Sequence, residues 1–373
     1  AKCKAQLAVA LAKLGRWDEA AEAFHQMRAD RVDATLYLPA VEYMAEAAYG
    51  AERRELAREL FATLADDANP DRYVARGLSG LAWLQWTEDG ANNQSAATFE
   101  RLLEEHPDNP LAAEAAMMRG RALEKQDQKQ AAIAMYQLVI DRYPKSPHVP
   151  NAMLAAARVC DDLERDHQAE EILRTLLDQY PDFSQTDAAL YQLAWVLADL
   201  ERGEQADQLF DRLRTDFQQS KYWADATYRL AVRAAQAKQN DRADKLAREL
   251  VSAGCEARIM SHALYLVGQL AAASQQWSEV VLAMNRLISD YPDSSLRIPA
   301  EYWRAESHYR QGEYDEAGRQ FTQLARMTHG RTDAWLAMVP LRRAQVLAQQ
   351  SAWGDALELA QGIAKQYPNI RQQ

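Results

Sequence analysis

Cysteine is scarce in this chain of 373 residues: Cys3, Cys160 and Cys255 stand far apart, and none belongs to a C-x-x-C pair. They read as free, mostly buried thiols, because an isolated cysteine behaves as a small hydrophobe, and this speaks against a redox or metal role. The seven histidines (His25, His106, His148, His167, His262, His308 and His329) are scattered, with no second His or Cys at metal-ligand spacing. A phosphate-cradling glycine loop is missing, as is G-x-S-x-G. No metal or cofactor is expected. Long apolar runs are missing too: polar residues interrupt each one well before the roughly 20 residues of a membrane span. Positive charge is in deficit, giving a net −11. Residues 296–373 hold ten Lys and Arg against eight Asp and Glu, which leaves a net −13 on the first 295. A surface of that sign repels phosphate backbones and argues against nucleic acid as the principal ligand.

What the chain does contain is repetition. A small residue recurs at Ala8, Ala45, Ala82, Gly120, Ala157, Ala194, Ala231, Gly268, Ala305 and Ala344. Twelve residues after each, and thirteen after Ala82, comes a second series, Ala20, Ala57, Ser95, Ala132, Ala169, Ala206, Ala243, Val280, Ala317 and Ala356, in steps of 37 broken by one of 38 and one of 39. Four residues further on stand Phe24, Phe61, Phe99, Tyr136, Leu173, Phe210, Ala247, Met284, Phe321 and Ala360, and three beyond those a run from Met27 and Leu64 to Ile363. Spacings of four and three place the last three series on one helical face. The small residue marks a first helix whose backbone approaches the second closely. The spacing predicts ten helical hairpins, with units near 1–37, 38–74, 75–112, 113–149, 150–186, 187–223, 224–260, 261–297, 298–336 and 337–373. A chain of this length would otherwise suggest two or three domains, but a solenoid grows by adding units, so one domain is expected. Helical pattern at Ala1 and a closing Tyr367-Pro368 suggest a piece of a longer chain.

Turn residues fit this scheme. Gly15, Gly90 and Gly312 fall between the two helices of a unit, where a positive φ is wanted. Pro107, Pro144, Pro181, Pro292 and Pro368 end second helices, and Tyr143, Tyr180, Tyr291, Tyr367 and Phe217 are expected to plug the gap between neighbouring units. The extra residue of the third unit should lengthen the turn from Thr87 to Asn93, and the two extra residues before the tenth should lie in the loop around Thr328 to Asp333.

The small residue, the Ala-x-x-x-aromatic pair and the closing proline resemble the tetratricopeptide repeat, whose usual unit is about 34 residues. Each unit here is three residues longer. The Tyr-Pro-x-Ser endings at Tyr143-Pro144-Lys145-Ser146 and Tyr291-Pro292-Asp293-Ser294 are similar to bacterial envelope repeat proteins, of the outer-membrane assembly lipoprotein and Tol-Pal coordinator types. The resemblance implies an all-α right-handed superhelical solenoid with first helices on the concave side, and a periplasmic or envelope location in preference to the cytoplasm.

Function then falls to a surface. Constant unit length leaves little material for an active-site lid, so no catalysis is expected. The resemblance places groove positions two, five, nine and twelve on the first helix, counting the small residue as eight. Position five reads Met117, Leu154, Tyr191, Tyr228, Tyr265 and Tyr302 in six consecutive units, with Trp83, Trp86, Trp195 and Tyr309 around it. Position nine varies: Arg121, Arg158, Trp195, Val232, Gln269, Glu306. Either the tyrosines fill space between first helices, or they face the groove and bind an extended chain, a task suited to a large rigid ring with a polar tip. Position five is never Lys, unlike the clamp with which some relatives hold chaperone C-termini. The expectation is a scaffold for a peptide or partner protein. A glycan-acting α/α ring, and a spacer or targeting arm, are the alternatives.

Overall fold

The computed structural model describes residues 2–89, 93–331 and 333–366, and among them there is no strand. Twenty α-helices follow in consecutive pairs. First helices are α1 (Lys2–Lys13), α3 (Ala34–Gly50), α5 (Asp71–Asp89), α7 (Ala112–Lys125), α9 (Val149–Asp161), α11 (Thr186–Asp199), α13 (Trp223–Gln236), α15 (Ala257–Ala273), α17 (Arg297–Arg310) and α19 (Met338–Gln349). Second helices are α2 (Trp17–Ala29), α4 (Arg54–Leu64), α6 (Asn93–Glu105), α8 (Lys129–Arg142), α10 (Asp166–Gln179), α12 (Gly203–Asp216), α14 (Asn240–Ala253), α16 (Trp277–Asp290), α18 (Tyr314–Met327) and α20 (Trp353–Gln366). Among the described residues no helix is long and apolar enough to cross a membrane. Two compact bodies make up the chain, Ala1–Arg202 and Gly203–Gln373.

The three series of the second helix are the core. From Ala20 to Ala317 the small position is at most 1% exposed, and Phe24, Phe61, Phe99, Tyr136, Leu173, Met284 and Phe321 are equally closed. In two units the large residue is seen pressed against the small residue of its own first helix. A Cβ on Gly120 would stand 2.5 Å from the Tyr136 ring, and one on Gly268 would collide with Met284. The Tyr136 hydroxyl, reaching the rim of this contact, donates to Glu124 at 3.0 Å, and burial pushes its phenol up. At the last pair the pattern runs out: Ala360 is exposed. Cys160 is buried and Cys255 half-buried, but Cys3 is exposed, because it sits on the face of α1 opposite Ala5, Ala8 and Ala12.

The turn inside each hairpin has one geometry. The residue two past the end of the first helix, or three past it after α9, is left-handed: Gly15 at φ 71° and Gly312 at 79°, but also Glu52 (57°), Asp127 (58°), Glu164 (58°), Glu201 (59°), Lys238 (58°), Gln275 (58°) and Ser351 (64°). In every case the next backbone N–H closes back five residues, as from Arg165 to Cys160 O at 2.9 Å and from Gln239 to Ala234 O at 2.9 Å. This is the Schellman ending of a helix. The same residue's carbonyl then accepts the first bond of the second helix, from Ala169 to Arg165 and from Ala243 to Gln239. So glycine satisfies the turn at two described positions, and side-chain-bearing residues tolerate it at seven. Gly90 lies outside the described residues.

Between hairpins the Tyr-Pro-x-Ser sequence acts through its serine. Ser146 Oγ accepts the His148 N–H at 3.2 Å and Ser294 Oγ the Leu296 N–H at 3.2 Å, opening α9 and α17. Ser220 and Asn109 occupy the same register and do the same for Tyr222 and Leu111. The Tyr143 hydroxyl donates to Pro107 O at 2.7 Å, one unit back, which ties neighbouring unit ends together. The insertion of the third unit is taken up partly by α5, which runs through Thr87, Glu88 and Asp89; residues 90–92 lie outside the described ones. The other insertion precedes a 3-10 turn, Ala334–Ala337, that leads into α19.

Within the first body α1 touches α3, α3 touches α5 and α9 touches α11; within the second, α13, α15, α17 and α19 form the same chain of neighbours. No successive second helices approach as closely, so in each body the first helices form the more crowded, inner face.

Two stability predictions follow from these contacts. Replacing Lys238 by Gly should raise the melting temperature. Relief of a left-handed L-residue is worth about 1–2 kcal/mol, against about 0.4–1 kcal/mol lost to a freer unfolded chain; a fall in melting temperature would contradict the strain. Gly77→Ala should do the reverse, because its Cβ would overlap the backbone nitrogen of Ala65. Overpacking of about 1–3 kcal/mol outweighs the roughly 1 kcal/mol gained in helix propensity. Calorimetry showing equal or higher stability would refute that close approach.

Candidate functional site

The inner face carries the residues singled out from the repeat register. In the second body, Tyr228, Tyr265 and Tyr302 project from α13, α15 and α17 at steps of 37 residues, and all three rings are half-buried. Each is braced from the neighbouring first helix or its lead-in. The Tyr228 ring meets His262 edge-on at 5.8 Å, Tyr265 Oη accepts the Trp303 Nε1–H at 3.2 Å, and Tyr302 meets Trp335 edge-on at 6.0 Å. Tyr302 also packs on Phe321 at 5.8 Å and Trp303 at 6.1 Å. Burial pushes all three phenols up, and the Glu306 carboxylate adds to the effect at Tyr302. Each ring is thus packed against a neighbouring first helix or its lead-in and remains part-exposed.

Beyond Tyr302 the face becomes openly apolar. Trp335, Met338 and Leu341 are 40%, 38% and 37% exposed. These three, with His262 and Trp303, are absent from the register-based selection. Trp335 lies on the inserted 3-10 turn, which no fixed spacing reaches; Trp303 and His262 stand at positions six and two, where other units show no shared residue type.

In the first body, Tyr191 and Trp195 meet edge-on at 6.2 Å on α11. Trp83 is half-buried against Phe99 at 6.1 Å, and Lys125 Nζ sits 4.8 Å from the Trp86 ring. Met117 is buried, at 3% exposure, and belongs to the packing. Arg121 is exposed, its nearest polar contact being Met118 Sδ at 3.8 Å. Arg158 is taken up by Glu124 at 2.5 Å, across from α7 to α9.

Glu306 is also withdrawn from the surface. Only 3% exposed, it accepts from Arg310 Nε at 2.8 Å on its own helix and from Arg342 Nε at 2.5 Å on α19. Arg342 in turn lies over the Tyr309 ring at 5.3 Å, and Tyr309 packs on Tyr314 at 5.6 Å. Glu306 and Tyr309 thus join α17 to α18 and α19.

Helix pairs of constant register, each closed by a small residue against a large one, define a helical repeat protein. Family models described as tetratricopeptide repeat match residues 88–147 and 302–369, and a second such model matches 262–294. Tetratricopeptide repeats are thus matched over part of the chain, and the 37-residue register carries the same pattern beyond the matched segments. Comparison with curated proteins gives no match. Among solved structures, a tetratricopeptide repeat protein from Parabacteroides merdae is 15% identical with a TM-score of 0.44, over 71% of this chain and 96% of that one. The pilF protein of Pseudomonas aeruginosa is 14% identical, also at 0.44, over 66% and 96%. The assignment rests on the family models and the repeat register.

The ion pairs should differ sharply in worth. Glu306→Ala leaves the nearly closed Arg342 without its carboxylate and should cost about 3 kcal/mol, whereas Arg158→Ala removes an exposed partner and should cost under about 1 kcal/mol. Melting curves showing equal losses would contradict the burial-based ranking.

Proposed function

We propose that this protein is a non-catalytic scaffold that holds an extended segment of a protein partner along the inner face of its first helices. The observation that carries the reading is the row Tyr228, Tyr265 and Tyr302, half-exposed at one-unit intervals and held rigid by His262, Trp303 and Trp335. Residues serving packing alone close completely here, as Phe24 and Phe321 do. Rings fixed on one side and open on the other offer large contact area with little rotamer entropy left to lose. Their hydroxyls and edges can meet the backbone of an extended chain, while Trp335, Met338 and Leu341 suit an apolar side chain at its end. The acidic surface favours a protein over a nucleic-acid partner. A bacterial envelope setting is part of the proposal and rests on the Tyr-Pro-x-Ser endings.

The test is a peptide selected on the full chain from a random displayed library. Tyr228→Ala and Tyr265→Ala should each weaken its binding about 30-fold, as expected of aromatic anchors worth about 2 kcal/mol, with helicity retained in circular dichroism. Unchanged affinity together with a large drop in melting temperature would assign both rings to packing and overturn the reading.

A further inference from the structure

The far end of the second body holds a feature that the tyrosine row does not use. Arg326 on α18 and Arg343 on α19 both line a cleft of about 610 Å³ with Thr322, Gln323 and Leu347, and both line the adjoining one of about 550 Å³. Arg343 also borders a third depression, of about 340 Å³, against Leu359 of α20. Among the described residues neither guanidinium has a carboxylate partner, although neighbouring Arg residues are paired, Arg304, Arg310 and Arg319 within their own helices and Arg342 across to Glu306. The acidic groups bordering these depressions leave the pair unanswered: Asp315 accepts from Gln350 at 2.7 Å, and Asp355 and Glu358 lie on α20 beyond ion-pairing reach. Burial first, and Arg326 second, hold the Arg343 guanidinium below its ordinary range. Two like charges facing one cleft, one of them half-buried, destabilise the free protein. In a chain of net −11, with carboxylates abundant enough to neutralise them, this arrangement calls for an anion from outside.

We infer that the cleft between α18, α19 and α20 binds a carboxylate carried by a partner polypeptide, gripped by the forks of Arg326 and Arg343. Guanidinium forks match carboxylates in bidentate geometry. The walls favour a polypeptide over a free phosphate. Leu347, Pro340 and Leu359, all part-exposed, line the clefts and would take the apolar neighbours of an acidic residue. Two of the helix starts that border them, the first turns of α18 and α20, carry Asp315 and Asp355, which oppose the phosphate site that helix N-termini otherwise provide. None of the tyrosine-row residues lines this cleft, so it is a second contact region, independent of the first.

The test follows the Nε–Hε signals of Arg326 and Arg343 in the full chain labelled with 15N-arginine, assigned by their loss in R326Q and R343Q. Acetyl-Leu-Glu-Leu-Glu-amide, its Leu-Gln-Leu-Gln counterpart and inorganic phosphate are added separately. Both signals should move saturably with the Glu peptide, and the Gln peptide should bind at least about ten-fold more weakly, the loss expected for charge-assisted bonds. The R326Q/R343Q variant should lose the Glu-peptide binding by the same factor with unchanged circular dichroism, and R343Q alone should melt higher than the parent chain. No saturable shift, an equal response to both peptides, or a response to phosphate alone would overturn the inference.

Discussion

Most units share one arrangement, a residue with almost no side chain on the first helix and a large apolar residue on the second; Ala247 and Ala360 are the exceptions. At Gly120 and Gly268 the opposing Tyr136 and Met284 fill the space a Cβ would need. Elsewhere an alanine leaves just enough room for a phenylalanine, as with Ala8 and Phe24 or Ala305 and Phe321, all fully closed. Because the contact lies at the crossing of two backbones, it sets their separation, and the separation sets where every other side chain of the hairpin can reach. Repeating it at a fixed interval keeps each pair in register with the next, so few positions have any latitude. That restriction makes departures from the pattern informative.

Most of the fold is legible in the sequence for this reason. Both helix series could be counted from the chain, and the structure places helices under them with the expected faces buried, because burial of a periodic stripe depends on spacing alone. Two things were not legible. The left-handed turn residue is Glu, Asp, Lys, Gln or Ser at seven places, and nothing in such a residue announces a positive φ. The conformation is imposed from both ends, by the ending of one helix and the start of the next, and a stretch without glycine shows no sign of it. The exposure of Cys3 is the second: the same register position is buried in later units, as at Ala152 and Ala226, and residue type alone does not separate them.

The candidate site was legible only in part. Position five led to Tyr228, Tyr265 and Tyr302, but the register cannot tell a buried position from a half-exposed one, and it grouped Met117 and Glu306 with them. Met117 is closed because its short, flexible chain folds into the space between helices, where a rigid tyrosine at the same position must leave its tip outside. Glu306 is closed because Arg342, one unit on, reaches back to it with a fork. Both outcomes depend on a partner from another unit, which a column of equivalent positions does not contain.

The irregular step near the end of the chain shows how such a scaffold acquires individuality. Two extra residues before α19 allow a 3-10 turn, and that turn sets Trp335 against Tyr302 where a regular unit would have continued the row. The same segment concentrates basic residues, so residues 296–373 are net positive while the preceding 295 are strongly acidic. Packing accounts for the turn, whose Leu336 and Ala337 are buried. It does not account for the paired charges, since an acidic residue in place of Arg326 or Arg343 would remove a repulsion. Features that cost stability and serve no contact within the chain are where selection for a partner leaves its physical trace. By that criterion the outer cleft of the last units is as strong a candidate for recognition as the tyrosine row, although no aromatic residue marks it.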